Sequence, residues 1–104
     1  MIDNLNYYKV FYEVAKSGNI SHAAEVLYIS QPAVSKSISN LEAELGTILM
    51  IRSSRGITLN EEGKLLFDRL KSAFDTISMA EDELTRISDL GIGELRIGVS
   101  TSLL

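Results

Sequence analysis

The sequence predicts a mainly α fold: three helices, a β-hairpin and then one long helix. Three observations predict it. Apolar residues recur at helical spacing in three runs before Gly46; two β-branched runs flank "RSSRG" at 52–56; and seven apolar residues then follow alternating intervals of four and three from Leu66 to Ile87.

The first helix is carried by Tyr8, Phe11, Val14 and Ala15, which follow Asn4 and Asn6, and Ser17-Gly18-Asn19 supplies a turn after it. The second is barely two turns long. Ile20 precedes Ser21, an N-cap residue type, and Ala23, Ala24 and Leu27 form a short apolar stripe. A third, longer helix spans 31–45 and stops at Gly46, where a left-handed C-terminal cap is expected. A short helix, a tight turn and a longer helix form a helix-turn-helix, and the small Ala23 and Ala24 allow its helices to approach closely.

Pro32 marks the start of the third helix. A first-turn backbone N–H has no intrahelical partner, so proline loses nothing there, and Ser30 or Gln31 is pushed to a boundary conformation. At about 100° per residue, Val34, Ile38, Leu41 and Leu45 fall in one narrow stripe, with Pro32, Ser35, Lys36, Ser39, Asn40 and Ala43 opposite. That opposite face is small, polar and uncharged except for Lys36. Such a face lets a helix lie deep in a DNA groove, with Gln31 and Lys36 able to reach base edges or phosphates. From this segment alone, an ordinary Ser-rich solvent face is an equal reading.

The runs at 48–51 and 57–59 flank "RSSRG" as a hairpin with Gly56 at a positive-φ position. A hairpin after a helix-turn-helix is a wing, which makes the predicted fold a winged helix-turn-helix. Arg52 and Arg55 fall at its base and tip, where arginine can enter a minor groove or contact phosphate; a merely solubilising tip is the other reading.

Asn60 then caps a helix whose first turn carries Glu61 and Glu62. Leu66, Leu70, Ala73, Ile77, Ala80, Leu84 and Ile87 form a heptad seam over about three heptads, widened by Phe67 and Phe74. A helix over 61–89 is about 44 Å long at about 1.5 Å per residue, too long for a head of some sixty residues to cover. Folding back can absorb Phe67 and Leu70 but hardly Leu84 and Ile87, so the seam calls for a second chain, most simply a homodimer. After Gly91 and Gly93, Leu95, Ile97 and Val99 alternate as in a β-strand. One strand cannot form a sheet, so the expected organisation is a DNA-binding domain over 1–60, a dimerisation helix over 61–90, and at 91–104 a hinge and first strand of a truncated domain.

Composition narrows the function. The net charge of −4 is uneven: residues 1–59 hold five bases and five acids, whereas 60–104 hold five bases and nine acids, so the whole excess lies in the second part. The first part is electrostatically free to approach DNA. Zero Cys and a single histidine, His22, leave no metal cluster, and no acid, base and nucleophile are brought together by spacing. An enzyme and a metal or cofactor site in this fragment are therefore not expected. The lack of an apolar run approaching roughly 18 residues, and of a signal-peptide pattern at "MIDNLNYYKV", makes a cytoplasmic protein without a membrane partner the expectation. The competing class is a winged-helix and coiled-coil interaction module that does not bind DNA.

Taken together, "YYKVFYEVAKSGNISHAAEVLYISQPAVSKSISNLEAELGTILMIRSSRGITLNEEG", the long helix and "GELRIGVS" closely resemble the N-terminal DNA-binding region of LysR-type transcriptional regulators, over roughly residues 5–100. The resemblance implies a dimer that binds an imperfect palindrome in double-stranded DNA near a promoter. It also implies a missing C-terminal domain that senses a small-molecule effector and could join dimers into tetramers, with Ser100 and Thr101 where its pocket begins. By position, Gln31, Pro32, Ser35 and Lys36 match major-groove residues, with Ser39 further along that face. Arg52 and Arg55 match the wing, and Ser21 and His22 match backbone-contacting positions. The chain departs from the family's usual pattern at Ser39 and Asn40, where bases are common, at Met50, where Phe is usual, and at Asn60, where Thr is usual.

Overall fold

A computed structural model of the chain describes residues 5–89, in the order α1 (Leu5–Ser17), α2 (Ile20–Leu27), α3 (Gln31–Leu45), β1 (Met50–Ser53), β2 (Gly56–Leu59) and α4 (Glu61–Asp89). Asn4 and the strand expected after Gly93 lie outside the described residues. The helix boundaries from the end of α1 to the start of α4 have identifiable chemical causes. The N–H of Gly18 donates to Val14 O and closes α1. Ser17 Oγ accepts the Asn19 N–H, and Asn19, in extended conformation, caps α2 by accepting the His22 N–H on Oδ1 at 3.0 Å. The cap expected at Ser21 is thus corrected to Asn19. The Ser17 turn already holds Asn19 outside the helix, its side chain reaches the third helical N–H, and Ile20 is already helical.

The two helices of the helix-turn-helix end in matching C-terminal caps. Tyr28 adopts φ 59, with Tyr28 N–H donating to Glu25 O and Ile29 N–H to Ala24 O. Gly46 at φ 71 repeats the arrangement for α3, with Gly46 N–H to Ala43 O and Thr47 N–H to Glu42 O. Both are Schellman caps, which satisfy carbonyls that a helix end would otherwise leave free. Ser30 caps the start of α3 through Ala33 N–H to its Oγ at 3.2 Å, and Pro32 stands in the first turn, as its chemistry predicts.

The core lies where α1, α2 and α3 meet. Val10, Phe11 and Val14 from α1 pack with Ala23, Ala24, Val34, Ile38 and Leu41, and Leu49 and Met50 close the cluster beneath the hairpin. Fully burying a side chain the size of Phe11 or Leu41 stabilises by roughly 1.5–3 kcal/mol. No buried polar or charged residue interrupts the core of the described chain.

The hairpin pairs antiparallel, Met50 with Leu59, Ile51 with Thr58, Arg52 with Ile57 and Ser53 with Gly56, which leaves Ser54 and Arg55 as a two-residue turn. The expected first strand at 48–51 is shifted to Met50–Ser53. The cause is that residues 48 and 49 use their backbone groups elsewhere. Leu49 N–H donates to Glu42 Oε2 at 2.8 Å, and the Ile48 and Leu49 carbonyls accept from Asn60 Nδ2 and Asn60 N–H at 2.8 and 3.2 Å.

Asn60 also caps α4, accepting the Gly63 N–H on Oδ1 at 2.8 Å. Gly63 is buried, and a Cβ built on it would lie 1.9 Å from Leu49 O. The compact unit extends through Lys71, and within it Leu66, Phe67 and Leu70 are half-buried against the core, Phe67 stacking on Tyr12 with ring centroids 5.2 Å apart. The remainder of α4, from Ser72, forms a separate unit in which Ala73, Ile77, Ala80, Leu84 and Ile87 are exposed and Phe74 is half-buried. No helix among the described residues is long and apolar enough to cross a membrane.

Gly63→Ala is expected to destabilise the chain by about 1–3 kcal/mol, because the obstructing atom is backbone and cannot rotate aside. Urea denaturation followed by circular dichroism measures this, and an unchanged midpoint would contradict the close approach.

Candidate nucleic-acid interface

The residues predicted to read DNA fall on three elements. On α3, Val34, Ile38 and Leu41 are fully buried, which turns Gln31, Pro32, Lys36 and Ser39 to solvent; Ser35, at the margin, is half-buried. The outer face is as slim as the sequence suggested, with one correction. Asn40 is half-buried, and its Nδ2 donates to Tyr7 Oη at 3.2 Å, so it joins α3 to α1 instead of facing outward. A helical wheel misses this because it carries no information about where the tyrosine of another helix ends.

Ser21 and His22 are exposed at the start of α2. Ser21 lines a shallow surface groove of about 330 Å³ together with Asn19, Arg52 and Arg55, so the structure brings the α2 start and the wing arginines to one place. The tie that does so is backbone to backbone: Ile57 N–H donates to Gly18 O at 3.2 Å. Gly56 permits it twice over. Its φ of 118 is a conformation that L side chains rarely adopt, and a Cβ there would lie 2.9 Å from Gly18 O.

The electrostatics of this face follow from what its charges touch. Lys36, Arg52 and Arg55 are exposed, and among the described residues none of them forms an ion pair, so each can meet a phosphate without breaking a bond first. Lys16, in contrast, is held 3.5 Å from Glu13 and over the Tyr12 ring. The Glu42 carboxylate accepts the Leu49 N–H. No group of three or more histidine, cysteine or carboxylate side chains that could hold a metal ion occurs among the described residues.

This geometry can be set beside known proteins. Residues 5–64 match the model of the bacterial regulatory helix-turn-helix proteins of the lysR family. The chain belongs to the LysR family. It is similar to the nitrogen assimilation regulatory protein nac of Klebsiella aerogenes, at 33% identity over 97 residues, covering 93% of this chain and 32% of that protein. It is also similar to the HTH-type transcriptional activator AmpR of Rhodobacter capsulatus, at 38% identity over 98 residues, covering 94% and 33%. The chain thus spans about a third of the length of these curated relatives. Among solved structures, the BenM DNA-binding domain in complex with catB site 1 DNA matches with a TM-score of 0.73 and 29% identity, over 82% of this chain and 94% of that one. The fold is the winged helix-turn-helix of LysR DNA-binding domains.

The departures from the usual LysR pattern now have physical contexts. Met50 is a buried core residue, and its unbranched side chain can replace an aromatic ring in an irregular gap. Asn60 does with one amide group two tasks, receiving the Gly63 N–H and donating to Ile48 O. Asn40 exchanges an outward base for a bond to Tyr7. Sequence reasoning missed Glu42 and the second bond of Asn60, since both depend on partners that periodicity does not locate.

Gly56→Ala is expected to lower stability by about 1–3 kcal/mol through its backbone strain alone. It should also loosen the wing from the α1–α2 turn, which amide hydrogen exchange at Ile57 reads directly. Unchanged protection at Ile57 would contradict the latch.

Proposed function

We propose that this chain is the DNA-binding and dimerisation part of a LysR-type transcriptional regulator, which binds an imperfect palindromic promoter site as a homodimer. The observation that carries this reading is the shared exposure of Lys36, Arg52 and Arg55, unpaired with any described carboxylate, around a recognition helix whose outer face is otherwise small and uncharged. The relative BenM is solved on DNA through the same fold, which favours DNA reading over a purely protein-binding module. Gln31, Pro32, Ser35, Lys36 and Ser39 enter the major groove, Arg52 and Arg55 of the wing grip the flanking backbone or minor groove, and Ser21 and His22 contact phosphate.

The exposed part of the α4 seam supports pairing of two chains. Ile77 and Leu84 are 54% and 60% exposed, and Ile87 is 38% exposed, as expected for residues awaiting a second helix. Leu66, Phe67 and Leu70 divide their surface between the chain's own core and the partner, and Ala73, Phe74 and Ala80 complete the seam. The regulator acts in the cytoplasm and not as an enzyme, and this part needs no cofactor. A further domain, as in a longer regulator, senses the small-molecule effector and can join dimers into tetramers.

Two outcomes are expected. Affinity for a bound duplex falls with salt at a slope of about 0.9 per neutralised phosphate, and Lys36→Ala lowers affinity roughly tenfold and the slope by about one. Fluorescence anisotropy across a salt series measures both, and an unaltered affinity would remove Lys36 from the interface. Replacing Ile77 and Leu84 together by glutamate yields monomers with weakened DNA binding; light scattering that still reports a dimer would refute the seam.

A further inference from the structure

We propose that Glu42 is a positioning residue for DNA reading: by holding the Leu49 N–H, its carboxylate fixes the wing in register with the recognition helix. The inference rests on the DNA-binding function proposed above. Glu42 is half-buried; its Oε2 lies 2.8 Å from Leu49 N, a part-buried bond with the length of a charge-assisted one. Only residues 46–49 separate α3 from β1, and Glu42 holds this connection at two points, through its own carbonyl to Gly46 and Thr47 and through its carboxylate to Leu49.

The other directional ties of the wing lead elsewhere. Ile57 N–H binds the α1–α2 turn at Gly18, and the Ile48 and Leu49 carbonyls bind Asn60 at the start of α4. The Glu42 carboxylate ties this connection to α3 through a side chain. Both backbone groups of Leu49 are thereby claimed, its N–H by α3 and its carbonyl by the α4 cap. Without the carboxylate, the wing keeps its links to α1–α2 and α4 and its core packing, but its offset from α3 loosens. That offset decides whether Lys36 in one groove and Arg55 at the wing tip can engage the same duplex together.

A double-mutant cycle tests this, using a duplex selected from a random pool by the wild-type chain and a scrambled duplex as control. Arg55→Ala should weaken specific binding about tenfold in the wild type and in Glu42→Gln, whose amide oxygen still accepts the Leu49 N–H, but less than about threefold in Glu42→Ala, where the wing no longer acts in concert with α3. Amide exchange at Leu49 and along 50–59 should rise in Glu42→Ala without DNA. An equal Arg55→Ala penalty in all three backgrounds overturns the proposal, as does unchanged exchange at Leu49. If Glu42→Ala does not fold, Glu42→Asp, which keeps the charge but shortens the reach, takes its place with the same two outcomes. Failure of the wild type to distinguish the two duplexes would instead overturn the DNA-binding reading, and the exchange measurement would still judge the bond.

Discussion

The backbone of Leu49 is the point on which the head depends. Its N–H is taken by Glu42 of α3, its carbonyl by the Asn60 N–H, and the same carbonyl lies against Gly63, where a Cβ would stand 1.9 Å away. Glycine at 63 therefore permits the first turn of α4 to press onto the connection between α3 and the wing. Leu49 and Met50 follow by dropping their side chains into the core formed by the three helices. α3, the wing and the first turn of α4 thus meet at the backbone of one residue.

The same economy governs charge. The head carries as many acids as bases, so it has no broad positive field to draw it to DNA. What it has is Lys36, Arg52 and Arg55 exposed on α3 and the wing without ion-pair partners among the described residues, while Glu42 is held by a backbone N–H and Glu13 by Lys16. Under the proposed function, few phosphate contacts per head leave specificity and grip to accurate placement and to two heads acting on one site. That proposal gives the seam of α4 a functional weight that its distance in sequence from α3 conceals.

Much of this was legible in the sequence, for reasons that can be named. Helix periodicity found the buried Val34, Ile38 and Leu41, because burial is what generates the periodicity. Pro32, Gly46, Gly56 and Asn60 announced their positions because each suits a backbone condition, and the structure shows those conditions. The readings that failed involve competition or long-range pairing. Asn19 displaced Ser21 as the α2 cap because both are good caps and the Ser17 turn decided between them. The first wing strand began later because Glu42 and Asn60 had claimed the backbone of 48 and 49, and Asn40 turned inward to Tyr7. No local pattern encodes such partners.

The central claim is that two such heads, joined through α4, read two half-sites on one duplex. Repeated selection of bound duplexes from a random pool tests it most directly, since it presumes neither the operator nor the contacts. The account predicts an enriched inverted repeat whose half-sites stand at a fixed spacing of about one helical turn or a multiple of it. Recovery of no enriched sequence, or of a single unrepeated motif, would contradict it.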